Sequence, residues 1–110
     1  MIKCYVEDKT LLVEILSAEL DHHIARDIRQ EVDSILMKKQ IDFIIFDFHY
    51  VNFMDSSGIG VIIGRYKKIV NHGGKVSVIN MNSRVEKLFN LSGMSKIISV
   101  YDTFEDAINS

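Results

Sequence analysis

Two spacings of apolar residues recur along the chain, and each predicts one type of element. Aliphatic and β-branched residues on both sides of the polar turn 7–9 predict an N-terminal hairpin within residues 3–16. The run 42–48 is the most apolar short segment and predicts a buried central strand. Similar short runs predict strands at 75–80 and 97–101.

Apolar residues three and four positions apart predict four helices between and after these strands. The first follows Asp21, a candidate N-cap, and the second runs from near Ser56 to the glycine pair 73–74, where a left-handed C-cap is easy. The third opens with a capping box at 83–86. The fourth is short and covers 103–109.

The element order predicts a single α/β domain over residues 1–110. After the opening hairpin, strands and helices alternate, so the later strands should be parallel and joined by right-handed crossovers. Because the hairpin is antiparallel, the sheet should be mixed, packed with about four helices.

Composition excludes several classes of partner. With 47% hydrophobic and 25% charged residues, the chain is typical of a soluble globular domain. The net charge of −2, without a visible Lys/Arg cluster, predicts no nucleic-acid partner. No segment is long and apolar enough to span a membrane, no signal-peptide pattern is present, and Cys4 has no second cysteine to pair with. We therefore expect a cytoplasmic protein with no membrane partner.

The stretch Asp55-Ser56-Ser57 is the strongest candidate for chemistry. It lies where the loop after the central strand becomes the second helix, and Asp55 is a good N-cap. Ser57 is then the second helical residue, close to unpaired amides and to the positive end of the helix dipole. Such a position suits an anion, including a phosphate.

Three glycines near this helix start also permit a dinucleotide-binding interpretation. Gly58, Gly60 and Gly64 have the spacing G-x-G-x-x-x-G instead of G-x-G-x-x-G, and Asn80 ends the next strand where an acidic residue is needed. Close packing of the helix on its neighbours is the favoured explanation. We expect no cofactor.

Hydrolysis and metal binding are weaker hypotheses. Ser57 lacks a G-x-S-x-G elbow, and no histidine shares a local motif with it. His22 and His23 are adjacent on a helix, so their side chains should diverge by about 100° and not share one ion. We expect no catalytic residue and no metal site.

The apolar loop before Asp55 leaves two possibilities open. Its residues Tyr50, Val51, Phe53 and Met54 either pack inward entirely or form an exposed rim around the serine, as a protein-binding site would. Val51 and Phe53 are the expected anchors to the core.

The segment 53–61, Phe-Met-Asp-Ser-Ser-Gly-Ile-Gly-Val, resembles the signature of STAS domains of the anti-sigma-factor antagonist type. Glu-Leu-Asp-His-His at 19–23 resembles the sporulation branch, whose members release sigma factor F, and so do 92–97 and 101–102. The resemblance covers essentially the whole chain. The chain departs from the family at Ala18, where glycine is usual, and at 47–50, where Asp-Phe-His-Tyr replaces Asp-Leu-Ser.

The resemblance implies a phosphorylation-switched binding protein that is not an enzyme. Such antagonists bind an anti-sigma factor that is a serine kinase carrying ADP or ATP, and thereby free the sigma factor. The kinase phosphorylates the second serine of the motif, here Ser57, the complex dissociates, and a PP2C-type phosphatase restores the binding form. The implied partner-binding residues are Asp21, His22, His23, Phe53, Met54, Asp55, Ser56, Ser57, Gly58, Ile59 and Val61. A STAS regulator of a stress-response pathway is the nearest alternative, and a small nucleotide-binding enzyme is a more distant one.

Overall fold

A mixed five-stranded sheet forms the centre of the computed structural model, which describes residues 1–110. The strands, in chain order, are β1 Ile2–Glu7, β2 Thr10–Ile15, β3 Glu19–Leu20, β4 Phe43–Asp47, β5 Phe53–Met54, β6 Lys75–Ile79 and β7 Ser99–Tyr101. The main sheet has the order β1-β2-β4-β6-β7. Only the β1–β2 pair is antiparallel, so the predicted hairpin and parallel strands are confirmed.

Four α-helices cover the two faces of this sheet. They are α1 His22–Lys38, α2 Ser56–Ile69, α3 Ser83–Leu91 and α4 Phe104–Ile108. Successive side chains of a strand point to opposite faces, and β4 shows this clearly. Ile44 and Phe46 belong to the large core shared with α1, α2 and α3, whereas Phe43 and Ile45 pack with Ala107 of α4. None of the helices is long and apolar enough to cross a membrane.

The strands β3 and β5 form a small second sheet that the sequence pattern does not predict. They pair in parallel, with Glu19 opposite Phe53 and Leu20 opposite Met54. The expectation of an irregular loop before Asp55 is therefore wrong for its last two residues. The pairing has a consequence for the helices, because α1 begins directly after β3 and α2 directly after β5. It brings the two helix N-termini together on one side of the molecule.

Several predicted element boundaries need correction. Asn82, not Ser83, caps α3, because its side-chain oxygen accepts a hydrogen bond from the Val85 N–H at 2.8 Å. The last strand is shorter than predicted, since a 3₁₀ turn at Met94–Lys96 precedes it. The α-helical part of the second helix ends earlier than predicted, at Ile69, and a 3₁₀ turn continues the chain to Gly73. The predicted left-handed cap is confirmed there, since Gly73 has a φ of +86° that is easy only for glycine.

Candidate functional site

Asp55 fixes the start of α2. Its backbone is extended, and its Oδ1 accepts a hydrogen bond from the Ser57 N–H at 2.8 Å. Its carbonyl oxygen accepts from the Gly58 N–H at 3.1 Å. Ser56 and Ser57 are the first two residues of the helix; Ser56 is exposed and Ser57 half-buried. The cap and the position of Ser57 predicted from the sequence are confirmed.

A second capped helix start lies beside the first. Asp21 Oδ1 accepts hydrogen bonds from the His23 N–H at 3.0 Å and the Ile24 N–H at 3.1 Å. The hydrogen bond from Ile24 is the main reason that the pKa of Asp21 lies below its usual value, and the bond from His23 adds to it. Because Leu20 and Met54 are paired, Asp21 and Asp55 follow the two parallel strands at equivalent positions.

The two histidines of α1 are exposed at this end of the molecule. Their ring centroids are 4.0 Å apart with the planes tilted by 37°, so the side chains do not diverge as the helical spacing predicts. His23 Nδ1 lies 3.3 Å from Arg26 Nη2, one turn further along the helix.

A cleft of about 410 Å³ between α1 and α2 opens beside Ser57. We call it the arginine cleft, because Arg26, Arg29 and Arg65 line it together with His22 and Ser57. The chain has only four arginines, so three of them lie around one cleft. No Lys/Arg cluster is visible along the sequence, so this one arises only from the packing of α1 beside α2.

Arg65 is the deepest of these arginines, with only 5% of its surface exposed. Its Nε lies 3.2 Å from Asp33 Oδ1, a charge contact whose N–H is not aligned for a hydrogen bond, and its Nη1 has no hydrogen-bond partner. Burial lowers the pKa of the Arg65 guanidinium, the charge of Asp33 raises it, and the positive charge of Arg29 lowers it further. The sequence signal for this residue was an arginine within an otherwise apolar stretch of α2.

Two aromatic side chains of the segment before Asp55 are exposed. Tyr50 is 57% and Phe53 47% exposed, whereas Val51 and Met54 are buried. Val51 is therefore an anchor to the core as expected, but Phe53 is not. Side chains alternate along β5, so Phe53 points outward and Met54 takes the inward position. Of the two possibilities left open for this loop, the exposed rim is the one observed.

The residues predicted to bind a partner fall into two groups. Those at least partly accessible are Asp21, His22, His23, Phe53, Asp55, Ser56, Ser57 and Ile59. Met54, Gly58 and Val61 are buried instead. A Cβ on Gly58 would lie 2.6 Å from Met54 Cγ and 2.8 Å from Leu20 Cγ, so Gly58 packs against the core and leaves no room for a partner. The prediction that these three residues bind a partner directly needs this correction.

The other two glycines of α2, unlike Gly58, do not pack closely against neighbouring elements. A Cβ on Gly60 or Gly64 would meet no atom within 4 Å, so close packing explains Gly58 alone. No group of three or more His, Cys, Asp or Glu side chains is placed to hold a metal ion.

Comparison with known proteins identifies the family. The STAS domain profile matches residues 2–107. The chain belongs to the STAS domain family. The anti-sigma F factor antagonist of Paenibacillus polymyxa is 40% identical over 98 residues, which are 89% of this chain and 84% of that protein.

Solved structures of STAS proteins show the same architecture. The anti-sigma factor antagonist SpoIIAA in its unphosphorylated form superposes with a TM-score of 0.86 at 29% identity, covering 99% of this chain and 94% of that one. The Bacillus cell fate determinant SpoIIAA in the phosphorylated form superposes with a TM-score of 0.76 at 28% identity, covering 99% and 97%. The predicted fold class is confirmed, and the chain is a STAS domain of the anti-sigma-factor antagonist type.

Proposed function

We propose that this STAS domain binds a serine-kinase anti-sigma factor, releases sigma factor F, and is switched off by phosphorylation of Ser57. The observation that carries the proposal is the position of Ser57, as the second residue of α2, partly accessible and next to an exposed aromatic surface. The 40% identity to the anti-sigma F factor antagonist of P. polymyxa supports this branch of the family over the stress-response alternative.

The contact surface combines apolar and polar groups around the two helix starts. Phe53 and Tyr50 offer exposed aromatic area, which contributes strongly to binding when a partner removes it from water. His22, His23 and Ser56 supply polar groups beside it. A carboxylate oxygen of Asp21 and one of Asp55 accept hydrogen bonds from the first turns of their own helices. These two residues therefore position the contact surface, in addition to any contact they make with the partner.

In the proposed switch Ser57 is a substrate of the partner and needs no catalytic group of this chain. The kinase's ATP supplies the phosphoryl group: the Ser57 Oγ bonds to the γ-phosphorus, the hydroxyl proton leaves, and ADP departs. Phosphorylation adds about −1.5 to −2 charges and three acceptor oxygens. A phosphate placed inside the contact surface must be desolvated or must face the partner's acids, and binding is lost. A PP2C-type phosphatase hydrolyses the phosphomonoester and restores the binding form.

The test is to incubate the protein with the serine-kinase anti-sigma factor and ATP, and to locate phosphate by peptide mass spectrometry. We expect phosphate on Ser57 alone. Ser57→Ala should remain unmodified yet bind the kinase, whereas the matched Ser56→Ala protein should still be phosphorylated. Phosphate on Ser56, or a folded Ser57→Ala protein that no longer binds, would contradict the proposal.

A further inference from the structure

The positive charge of the arginine cleft is only partly neutralised by acidic residues of the chain. His22, Arg26 and Arg29 follow one another at helical spacing along one face of α1, and Arg65 faces them from α2. The acidic residues Asp27 and Glu31 of α1 line a separate cleft with Ile2 of β1, on another face of the same helix. The only acid in contact with a cleft arginine is Asp33, which lies beside Arg65.

Arg65 is incompletely paired within the protein. The side chain is more than nine-tenths buried and lines the cleft, and its Nη1 donates no hydrogen bond. A buried guanidinium with an unused donor is unfavourable unless an acceptor reaches it. Asp33 satisfies the charge only partly, because it also lies 3.7 Å from Lys68 Nζ. The positive charge of Arg29 adds to the imbalance.

Ser57, when phosphorylated, would place an anion beside this cleft. It lines the cleft itself, at the N-terminal end of α2, where the helix dipole also favours negative charge. Ser57, Gly60 and Val61 lie within one turn of α2 on the cleft side. Gly60 has no side chain, and a Cβ there would meet nothing within 4 Å, so the space between Ser57 and the arginines is open.

We propose that the arginine cleft receives the phosphate carried by Ser57. The phosphoryl oxygens accept hydrogen bonds from the guanidinium groups of Arg26 and Arg29, and Arg65 forms the positive floor. Arginine is suited to this role because its planar fork can donate two hydrogen bonds to one phosphate. The inference rests on the proposed function, since it assigns the place of the phosphate after modification. It explains how the domain tolerates a dianion next to the carboxylate of Asp55.

The test uses protein with phosphoserine installed at position 57 during translation, so it needs no kinase. The second pKa of the phosphate is measured by ³¹P NMR, with phosphoserine at position 56 as the matched control, because Ser56 does not line the cleft. Cationic partners stabilise the dianion, so we expect the pKa at position 57 to lie about one unit below that at position 56. The titration is repeated with His22→Gln, since this imidazole also lines the cleft.

Arginine variants decide whether the cleft causes the shift. Arg26→Gln and Arg29→Gln are exposed substitutions and should each raise the phosphate pKa at position 57 toward the control value. Arg84→Gln, which changes the one arginine outside the cleft, should leave it unchanged. Equal pKa values at positions 56 and 57, or no effect of Arg26→Gln and Arg29→Gln, would overturn the proposal.

Two further measurements distinguish this proposal from a binding site for free phosphate and from the proposed switch itself. Inorganic phosphate is titrated into unmodified protein while the arginine side-chain N–H signals are followed by NMR. Saturation at submillimolar phosphate would assign the cleft to a free phosphate ligand and overturn the intramolecular proposal. Partner binding of the phosphoserine protein is measured separately. A phosphate that shows the arginine-dependent pKa shift but does not release the kinase would leave the cleft proposal standing and refute the proposed switch.

Discussion

At the scale of single residues, the segment 53–61 contains two kinds of position. Some are buried and support the proposed partner-binding surface, and others are exposed and form it. Gly58 supports it: its lack of a side chain lets α2 approach Leu20 and Met54, the inward residues of the two short strands. Gly64, on the same helix, has open space around it. Identical substitutions at these two glycines should therefore have opposite effects on stability.

We expect Gly58→Ala to lower the free energy of unfolding and Gly64→Ala to raise it. Alanine in a helix is favoured over glycine by roughly 0.5–1 kcal/mol, and at Gly64 nothing opposes this gain. At Gly58 the new methyl group meets two buried side chains, and such overpacking costs about 1–3 kcal/mol. Urea denaturation of both variants checks the prediction. Stabilisation by Gly58→Ala would show that Leu20 and Met54 repack without cost.

The same scale shows what the sequence can and cannot predict. The caps Asp21 and Asp55, and with them the position of Ser57 in its helix, are predicted correctly because an N-cap is a local pattern, recognisable from its own helix. Arg65 is missed because its place in a cationic cleft depends on Arg26 and Arg29. These residues are distant from it in sequence and come close only when α1 packs on α2.

At the scale of elements, the main strands and helices follow from apolar spacing, whereas β3 and β5 do not. Two residues are too short to show a period, and their pairing joins parts of the chain that lie far apart. Yet this small sheet sets the geometry of the site, since each strand leads directly into a capped helix. The position of Phe53 was mispredicted for the same reason, because the alternation along β5 cannot be recognised without knowing that β5 is a strand.

Besides their apolar contacts, α1 and α2 are joined by charged contacts that Asp33 makes with Arg65 and Lys68. Asp33 of α1 lies 3.2 Å from the buried Arg65 Nε of α2, at 27% side-chain exposure for the aspartate. Removing the carboxylate leaves the guanidinium buried without its counter-charge. We expect Asp33→Ala to lower the free energy of unfolding by about 1–3 kcal/mol, less than for a fully buried pair because water still reaches the aspartate.

Chemical denaturation tests this ion pair, with Asp27→Ala as the control on the same helix. Asp27 is exposed and makes no ion pair, so its substitution should change the free energy of unfolding by no more than about 0.5 kcal/mol. The double variant Asp33→Ala/Arg65→Met should be more stable than Asp33→Ala alone, because no unpaired charge remains. Equal losses for Asp33→Ala and Asp27→Ala would show that the pair contributes nothing.

At the scale of the whole molecule, the site lies at one end of a sheet whose central strand is almost entirely buried. The helix starts are held by backbone pairing and caps, so a change at Ser57 need not reach the core. The chain also superposes along nearly its whole length on both the unphosphorylated and the phosphorylated form of SpoIIAA. If Ser57 is phosphorylated as proposed, we therefore expect the modification to act at the surface, with the domain unchanged in fold.

The loss of partner affinity that a phosphate on Ser57 would cause can be estimated from charge alone. A dianion facing a partner carboxylate at about 6 Å, with an effective dielectric constant near 20, costs about 5 kcal/mol. That cost corresponds to roughly a thousandfold or more in affinity. Within the domain, the helix dipole by itself stabilises an exposed phosphate by about 0.3–1 kcal/mol, and the carboxylate of Asp55 offsets part of this gain. The proposed contacts with the arginine cleft would add to the stabilisation of the phosphate.

Melting temperature and partner affinity, measured on three forms of the protein, test this account. Unmodified protein, Ser57 phosphoprotein and Ser57→Asp should melt within a few degrees of one another, because none of the changes removes a core contact. Affinity for the kinase should fall strongly on phosphorylation and less in Ser57→Asp, since aspartate carries one charge and lacks the phosphate's three oxygens. Ser56→Asp serves as the matched control for charge at the same helix start. A phosphoprotein that melts many degrees lower would mean that the switch acts by unfolding the domain, because surface repulsion leaves the melting temperature almost unchanged.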